Sequence, residues 1–261
     1  FSAFEVLSYR WGVASIVLIV FGWLSGCNFR LAGKDWGVVF LLSLLRAVTS
    51  FSLIIAYQNI ASGVASTIHF MYPLAVALAM MFFFREKKSL LVILAVLMSL
   101  LGAALLSLGE LEAKSGNTMV GLVAACVSVF SYAGYIVGVR TTRAVQINST
   151  ALTCYVMGLG TIFYLIGAYC TSGLQLVSDG YTWLIILGLA LPATAISNIT
   201  LVQAIKYAGP TLTSILGAME PLTAVVIGVF VFKELFTVNS AVGIILILLA
   251  VSIVVFRRQK S

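Results

Sequence analysis

The chain has 261 residues, 62% of them hydrophobic and only 9% charged, with a net charge of +7 and a mean hydropathy of +1.15. Soluble domains run near half apolar and about a quarter charged, so this chain has too little polar surface for a water-soluble fold and is an integral membrane protein. The basic residues are scattered at the ends of apolar runs without aromatic interleaving, which excludes a nucleic-acid partner and assigns the charge to membrane orientation.

Apolar runs and breakers divide the chain into about nine spans: 3–26, 35–57, 61–84, 89–109, 118–139, 149–171, 181–205, 209–232 and 238–256. The first is too long for a signal-peptide core and carries Arg10, so it reads as a spanning helix. Backbone amides in lipid must be satisfied internally, and these runs are too long and too continuously apolar for barrel strands. The predicted fold class is therefore all-α, a polytopic membrane helix bundle. The four cysteines, Cys27, Cys126, Cys154 and Cys170, lie in or beside apolar runs with no C-x-x-C spacing. They read as packing residues, and no metal or cofactor is implied.

Segment 62–86 recurs as segment 209–234. Met71-Tyr72-Pro73-Leu74 returns as Met219-Glu220-Pro221-Leu222, and Phe84-Arg85-Glu86 as Phe232-Lys233-Glu234, at a constant offset of 148. Ser66 and Ser214, Leu53 and Leu201, and Ala56 and Ala204 share that offset, while Ser25-Gly26 and Trp36 match Ser172-Gly173 and Trp183 at 147. The chain is an internal duplication. Span 149–171 corresponds to 3–26, which leaves 118–139 without an upstream counterpart. The expectation is a parent of ten helices in two five-helix repeats, of which the first helix is missing here. An odd number of helices per repeat inverts the second copy, the arrangement of many secondary transporters.

Loop charges test the inversion independently. If Ser261 is cytoplasmic, that side carries Arg30, Lys34, Arg85, Lys87, Lys88, Arg140, Arg143, Lys206, Arg257, Arg258 and Lys260. The opposite side carries Lys114 and Lys233, with Glu110, Glu112, Asp179 and Glu234. The bias places the C-terminus in the cytoplasm. The expected location is the inner (plasma) membrane of a bacterium.

Small residues at Ala61-Ser62-Gly63, a central Pro73 and a terminal Glu86 recur as Gly209-Pro210-Thr211, Pro221 and Glu234. With the duplication and inversion, this pattern resembles the EamA-type branch of the drug/metabolite transporter superfamily over the whole chain. The resemblance divides the chain into a first repeat, 1–114, lacking its first helix, and a second, 115–261. It implies an exporter or exchanger of a small metabolite, such as an amino acid, working by alternating access from a midplane cavity. The substrate varies widely in such families.

Glu220, Arg46, Arg10 and His69 are the ionisable groups well inside spans, where charge is costly and turns toward a cavity or a partner. Glu220 and Arg46 each lie about 11 residues into their helices, at similar depth, and are expected to pair. The structural alternative is that Glu220 accepts amides opened by Pro221 and Arg46 bonds loosened carbonyls. Arg10 either snorkels to the headgroups or, as the resemblance implies, faces the cavity, where it would hold a carboxylate bidentately. Ser62, Ser66, His69 and Pro73 form one polar stripe, repeated as Pro210, Ser214, Gly217 and Pro221. His69 and Glu220 are the candidates for proton coupling. Tyr72 stands where the second copy has Glu220. Asn198 and Gln203 are amides that need partners in lipid, and interhelical bonding is the plainer role for both. Tyr57, Tyr132 and Tyr135 read as anchors at span ends. Pro73 and Pro221 are expected to kink their helices at matching depth.

Gly22-x-x-x-Gly26 and Gly134-x-x-x-Gly138 allow close helix approach, which ordinary intramolecular packing explains without fixing an oligomeric state. No H-E-x-x-H, G-x-S-x-G or P-loop motif supports an enzyme. Two readings from other classes are an intramembrane enzyme acting on lipid-linked groups, with catalytic residues at the interface, and a structural protein with a dry, apolar centre.

Overall fold

The computed structural model describes residues 2–85, 90–107, 116–171, 173, 175–217, 219–230 and 237–259. Glu86, Lys87, Lys88, Glu110, Glu112, Lys114, Lys233, Glu234 and Lys260, which entered the repeat pattern and the charge count, lie outside the described residues. Among the described residues the regular structure is entirely helical. The helices are α1 (Ala3–Leu24), α2 (Trp36–Asn59), α3 (Ser62–His69), α4 (Tyr72–Phe83), α5 (Leu90–Ser107) and α6 (Thr118–Thr141). They continue as α7 (Ser149–Thr171), α8 (Gly180–Ala190), α9 (Ser197–Ala208), α10 (Pro210–Leu216), α11 (Met219–Phe230) and α12 (Val238–Gln259). Six described stretches are long and apolar enough to cross a membrane, and shorter apolar helices accompany them.

Local chemistry sets several ends. Ser2 caps α1 in a reciprocal capping box: the Glu5 amide donates to the Ser2 hydroxyl, and the Ser2 amide donates to Glu5 Oε2 at 2.6 Å. Asp179 caps α8 by accepting from the Thr182 amide at 2.6 Å. Gly209 precedes α10 at φ 86°, ψ 160°, a conformation essentially restricted to glycine.

The chain forms two compact units, and neither is a sequence repeat. Unit 1 comprises residues 1–51 and 138–207; unit 2 comprises 52–137 and 208–261. The division cuts α2 after Phe51 and α6 after Val137, so each unit draws on both copies of the duplication.

In unit 1, α1 pairs along its length with α7, its counterpart in the duplication. Missing side chains on α7 make room for large ones on α1. A β-carbon at Gly160 would stand 2.2 Å from the Trp11 ring, and one at Gly167 2.5 Å from Phe4. The first part of α2 binds the same helix, with Ser43 Oγ donating to the Val156 carbonyl at 2.9 Å and Tyr164 OH to the Ala47 carbonyl at 2.8 Å.

Unit 2 repeats the principle. Here α5 pairs with its counterpart α12, and α4 with α10. A β-carbon at Gly102 would lie 2.7 Å from the Gly243 carbonyl oxygen, so these two backbones come very close. Ala77, Met81, Ala95, Val96, Ile215 and Ala250 fill the core around them.

Candidate functional site

Two polar clusters occupy the interiors of the units. In unit 1 the organising feature is a fault in the span 180–208. Between α8 and α9, residues Leu191–Ile196 form a π-helical turn containing Pro192. A proline inside a helix lacks an amide and crowds the carbonyl four residues back, and the wider turn relieves that conflict. Side chains satisfy the loosened carbonyls: Thr194 Oγ1 donates to the Leu189 carbonyl at 2.8 Å, and Asn198 Nδ2 to the Thr194 carbonyl at 2.7 Å.

Both arginines of the unit interior attach to this turn. Arg10 Nε donates to Thr194 Oγ1, and Arg10 Nη2 donates to the Ala193 carbonyl at 3.3 Å. Arg46 Nε donates to Asn198 Oδ1 at 3.2 Å and Arg46 Nη1 to Ser50 Oγ at 3.2 Å. A hydrogen-bonded chain thus runs Arg10–Thr194–Asn198–Arg46. The Arg46 guanidinium carbon lies 6.0 Å from the centroid of a Trp11 ring, a cation–π distance, and Trp11 meets Tyr164 edge-on at 5.1 Å. Glu5 is not part of this cluster. Its Oε1 and Oε2 accept the Gln175 and Ser2 amides at 2.7 and 2.6 Å.

The structure therefore draws Arg10, Arg46 and Asn198 into one network. Arg46 bonds a side-chain amide and a hydroxyl rather than only loosened carbonyls, and Asn198 makes an interhelical bond. Arg10 reaches Thr194, the middle residue of the stretch Gly180–Ala208. Gln203 lies on α9 with an exposed side chain, apart from these bonds.

Unit 2 holds an aromatic cluster. His69 ends α3, is only 8% exposed, and its Nδ1 is 2.9 Å from Ser128 Oγ. Ser128 Oγ itself donates to the Ala125 carbonyl at 2.6 Å, which can only accept; the serine proton is committed, so His69 Nδ1 is the donor of the pair. The imidazole stacks on Tyr132 at 5.4 Å and 22°, and Tyr132 meets Tyr72 edge-on at 4.6 Å. Tyr132 and Tyr135 are buried within α6, where they pack as core aromatics and not as interface anchors. The Tyr72 hydroxyl reaches Gly217 so closely that a β-carbon there would be 1.7 Å away.

The helix interruptions coincide with the prolines. Span 62–83 breaks at Phe70 and Met71, with Pro73 in the first turn of α4. Span 210–230 breaks after Leu216, with Pro221 in the first turn of α11. Ser62 and Pro210, the first residues of α3 and α10, are 148 apart, the offset of the duplication. Glu220 lies in the first turn of α11 and is exposed in the isolated chain.

Sequence reasoning missed Thr194, Ser128, Ser50 and Tyr164, and with them the π turn. The available signal was Leu191-Pro192-Ala193-Thr194, a proline and a hydroxyl within an apolar run. Pro192 has no counterpart at the repeat offset, so the duplication does not point to it.

A polytopic helical membrane protein with interrupted spans and buried polar networks at the interruptions is the class this architecture defines. The model of the EamA-like transporter family matches residues 1–108 and again 119–256. The chain belongs to the EamA-like transporter family and is a membrane transporter. An uncharacterized transporter of Archaeoglobus fulgidus is 28% identical over 238 residues, covering 90% of this chain and 83% of that protein. A solved structure described only as "Crystal structure of protein" superposes with a TM-score of 0.84 at 18% identity, covering 100% of this chain and 90% of that one. At that identity the likeness speaks to the fold alone.

Proposed function

We propose that this chain is a secondary transporter that moves a small organic solute, of the size of an amino acid, by alternating access to a polar mid-membrane site. The observation that carries the reading is the pair of matched interruptions, α3/α4 and α10/α11, one repeat offset apart and each followed by a proline. Interrupted helices at corresponding positions of two repeats mark the binding region of inverted-repeat transporters, because a broken helix exposes backbone groups that a solute can engage. The pairing of α1 with α7 and of α5 with α12 supports the same reading, since each unit joins counterpart helices from both copies. In this proposal the repeats are inverted, the C-terminus is cytoplasmic in a bacterial inner membrane, and Arg10, Arg46, Asn198, His69, Tyr72, Gln203 and Glu220 serve the solute. His69 and Glu220 are the groups that would carry a coupled proton.

The test is a thermal-shift survey of the purified full chain against amino acids, nucleosides, sugars and cationic drugs, followed by proteoliposome counterflow of each stabilising compound with and without a proton gradient. At least one solute is expected to bind and exchange. Glu220→Gln is expected to abolish exchange while the protein stays monodisperse. Unchanged exchange in that variant removes Glu220 from the mechanism, and no exchange of any compound overturns the transporter reading.

A further inference from the structure

Five cations of unit 1 are gathered at one end of it. Arg30 and Lys34 lie between α1 and α2, Arg140 is in the last turn of α6, Arg143 opens the connection to α7, and Lys206 is in the last turn of α9. Contacts far apart in the chain join these segments. Arg140 Nη1 donates to the Lys206 carbonyl at 2.7 Å, and Lys206 Nζ donates to the Ile147 carbonyl just before α7. Arg143 Nε pairs with Asp35 Oδ1 at 3.2 Å, and Asp35 is the sequence neighbour of Lys34. Tyr155 OH donates at 2.7 Å to the carbonyl of Phe29, the sequence neighbour of Arg30. At the opposite end of α1, where Glu5 binds the Gln175 amide, segments 2–9 and 173–180 hold Glu5 and Asp179 and no lysine or arginine.

The positive charge of the cluster is largely uncompensated. Asp35 is the one carboxylate in these segments, and it serves Arg143. The side chain of Asp35 is 17% exposed and that of Arg143 55%, so the acid is covered while the cation stays accessible. Arg140 and Lys206 donate to carbonyls, which hold a cation in place and leave its charge intact. Arg30, Lys34 and Arg140 are exposed. Orienting the spans needs cations on one side only; it does not need them tied together across 66 and 59 residues.

Depth and an apolar track identify the ligand. The stretches Ala3–Leu24, Gly33–Asn59, Thr118–Thr141, Ser149–Thr171 and Gly180–Ala208 each have an end at the cluster. Tyr207, beside Lys206, and Trp36, beside Asp35, are both exposed, as aromatic residues at headgroup level are. Trp36, Phe40 and Leu44, spaced one helical turn apart on α2, are exposed and lead from the cluster into the span.

We propose that this end of unit 1, through Arg30, Lys34, Arg140, Arg143 and Lys206, binds the phosphate headgroup of an anionic phospholipid, whose acyl chains lie along the Trp36–Phe40–Leu44 track. The site is independent of the transported solute. Guanidinium groups match phosphate oxygens with parallel N–H donors, and the carbonyl that holds Arg140 positions it before the lipid arrives, so less side-chain entropy is lost on binding. Basic pockets between spans at the headgroup boundary suit such lipids for the same reason.

The experiment uses the purified full chain, delipidated in neutral detergent and titrated separately with phosphatidylglycerol, phosphatidylcholine, inorganic phosphate and glycerol 3-phosphate. Retention is read by native mass spectrometry and stabilisation by the melting temperature. Phosphatidylglycerol is expected to be retained and to raise the melting temperature, more weakly as salt is added, and the other three to do neither. Arg140→Gln and Lys206→Gln keep an N–H donor for the carbonyl and remove the charge. Each should weaken phosphatidylglycerol about fivefold, and the two together about 25-fold. Arg30→Gln with Lys34→Gln changes exposed loop positions only, should weaken it to a similar extent, and covers the case in which the first pair does not fold. The difference in melting temperature between phosphatidylglycerol and phosphatidylcholine separates the two kinds of effect, because a purely structural role would lower both alike.

Equal retention of the two lipids, or unchanged phosphatidylglycerol affinity in the folded double variants, would overturn the headgroup site. Stabilisation by inorganic phosphate or glycerol 3-phosphate to the same extent as by phosphatidylglycerol would overturn its assignment to a lipid.

Discussion

Replacing Gly217 by alanine would place a β-carbon 1.7 Å from the Tyr72 hydroxyl and 3.0 Å from its Cζ. Gly217 has φ −59° and ψ −22°, an ordinary helical conformation, so alanine meets no backbone penalty and the effect is purely steric. Tyr72 is 2% exposed and is held by Tyr132 at 4.6 Å and His69 at 5.5 Å, which prevents the ring from swinging aside. Overpacking of this kind costs about 1–3 kcal/mol. With a shift of about 2–4 °C per kcal/mol for a chain of this size, Gly217→Ala should lower the melting temperature by roughly 2–12 °C. Tyr72→Phe removes the atom at 1.7 Å and leaves the next at 3.0 Å, so the alanine should cost markedly less in that background. The assay is a double-mutant cycle by tryptophan-fluorescence melting in detergent, where contacting residues should show coupling of about 0.5–3 kcal/mol. Additive effects would refute the contact. They would also refute its corollary: the second copy carries glycine where the first has His69 because Tyr72 of the first occupies that space.

Two further outcomes follow from local geometry. Gly209→Ala forces a β-carbon into φ 86°, ψ 160° and should destabilise the chain by about 1–3 kcal/mol, read by the same melt; an unchanged melt would show that the entry to α10 relaxes freely. The bonds from the Thr182 hydroxyl and amide hold the Asp179 carboxyl below its ordinary range. A lowered folded-state value means that this contribution is present above the unfolded carboxylate range and is lost as pH falls through the folded value. Asp179→Ala should therefore lower the melting temperature at neutral pH, with the difference closing as the solution is acidified, and a pH-independent difference would contradict the cap.

The membrane class, the helical nature of the spans and the duplication were all legible in the sequence, each for a physical reason. Lipid demands internal backbone bonding, so long apolar runs can only be helices. The duplication shows in Met71-Tyr72-Pro73-Leu74 and Met219-Glu220-Pro221-Leu222, and the places where helices break follow from the prolines in them. The partners of the polar side chains were not legible. Arg10 finds Thr194 across 184 residues and Arg46 finds Asn198 across 152, through helix pairings that no local pattern encodes.

In a soluble helix an amphipathic stripe announces the buried face; here lipid-facing and helix-facing sides are both apolar, and the period carries little information. For that reason Tyr132 and Tyr135 read from the sequence as interface anchors, whereas α6 buries both, with Tyr132 stacked on His69 and Tyr135 on Tyr132. The sequence by itself determined what crosses the membrane and what is repeated. Only the tertiary structure decided that the compact units mix the two copies, that a π turn at Pro192 gathers two arginines, and that Gly217 yields its space to Tyr72. Those outcomes depend on how helices rotate and approach, which is set by side-chain shape at contacts far apart in the chain.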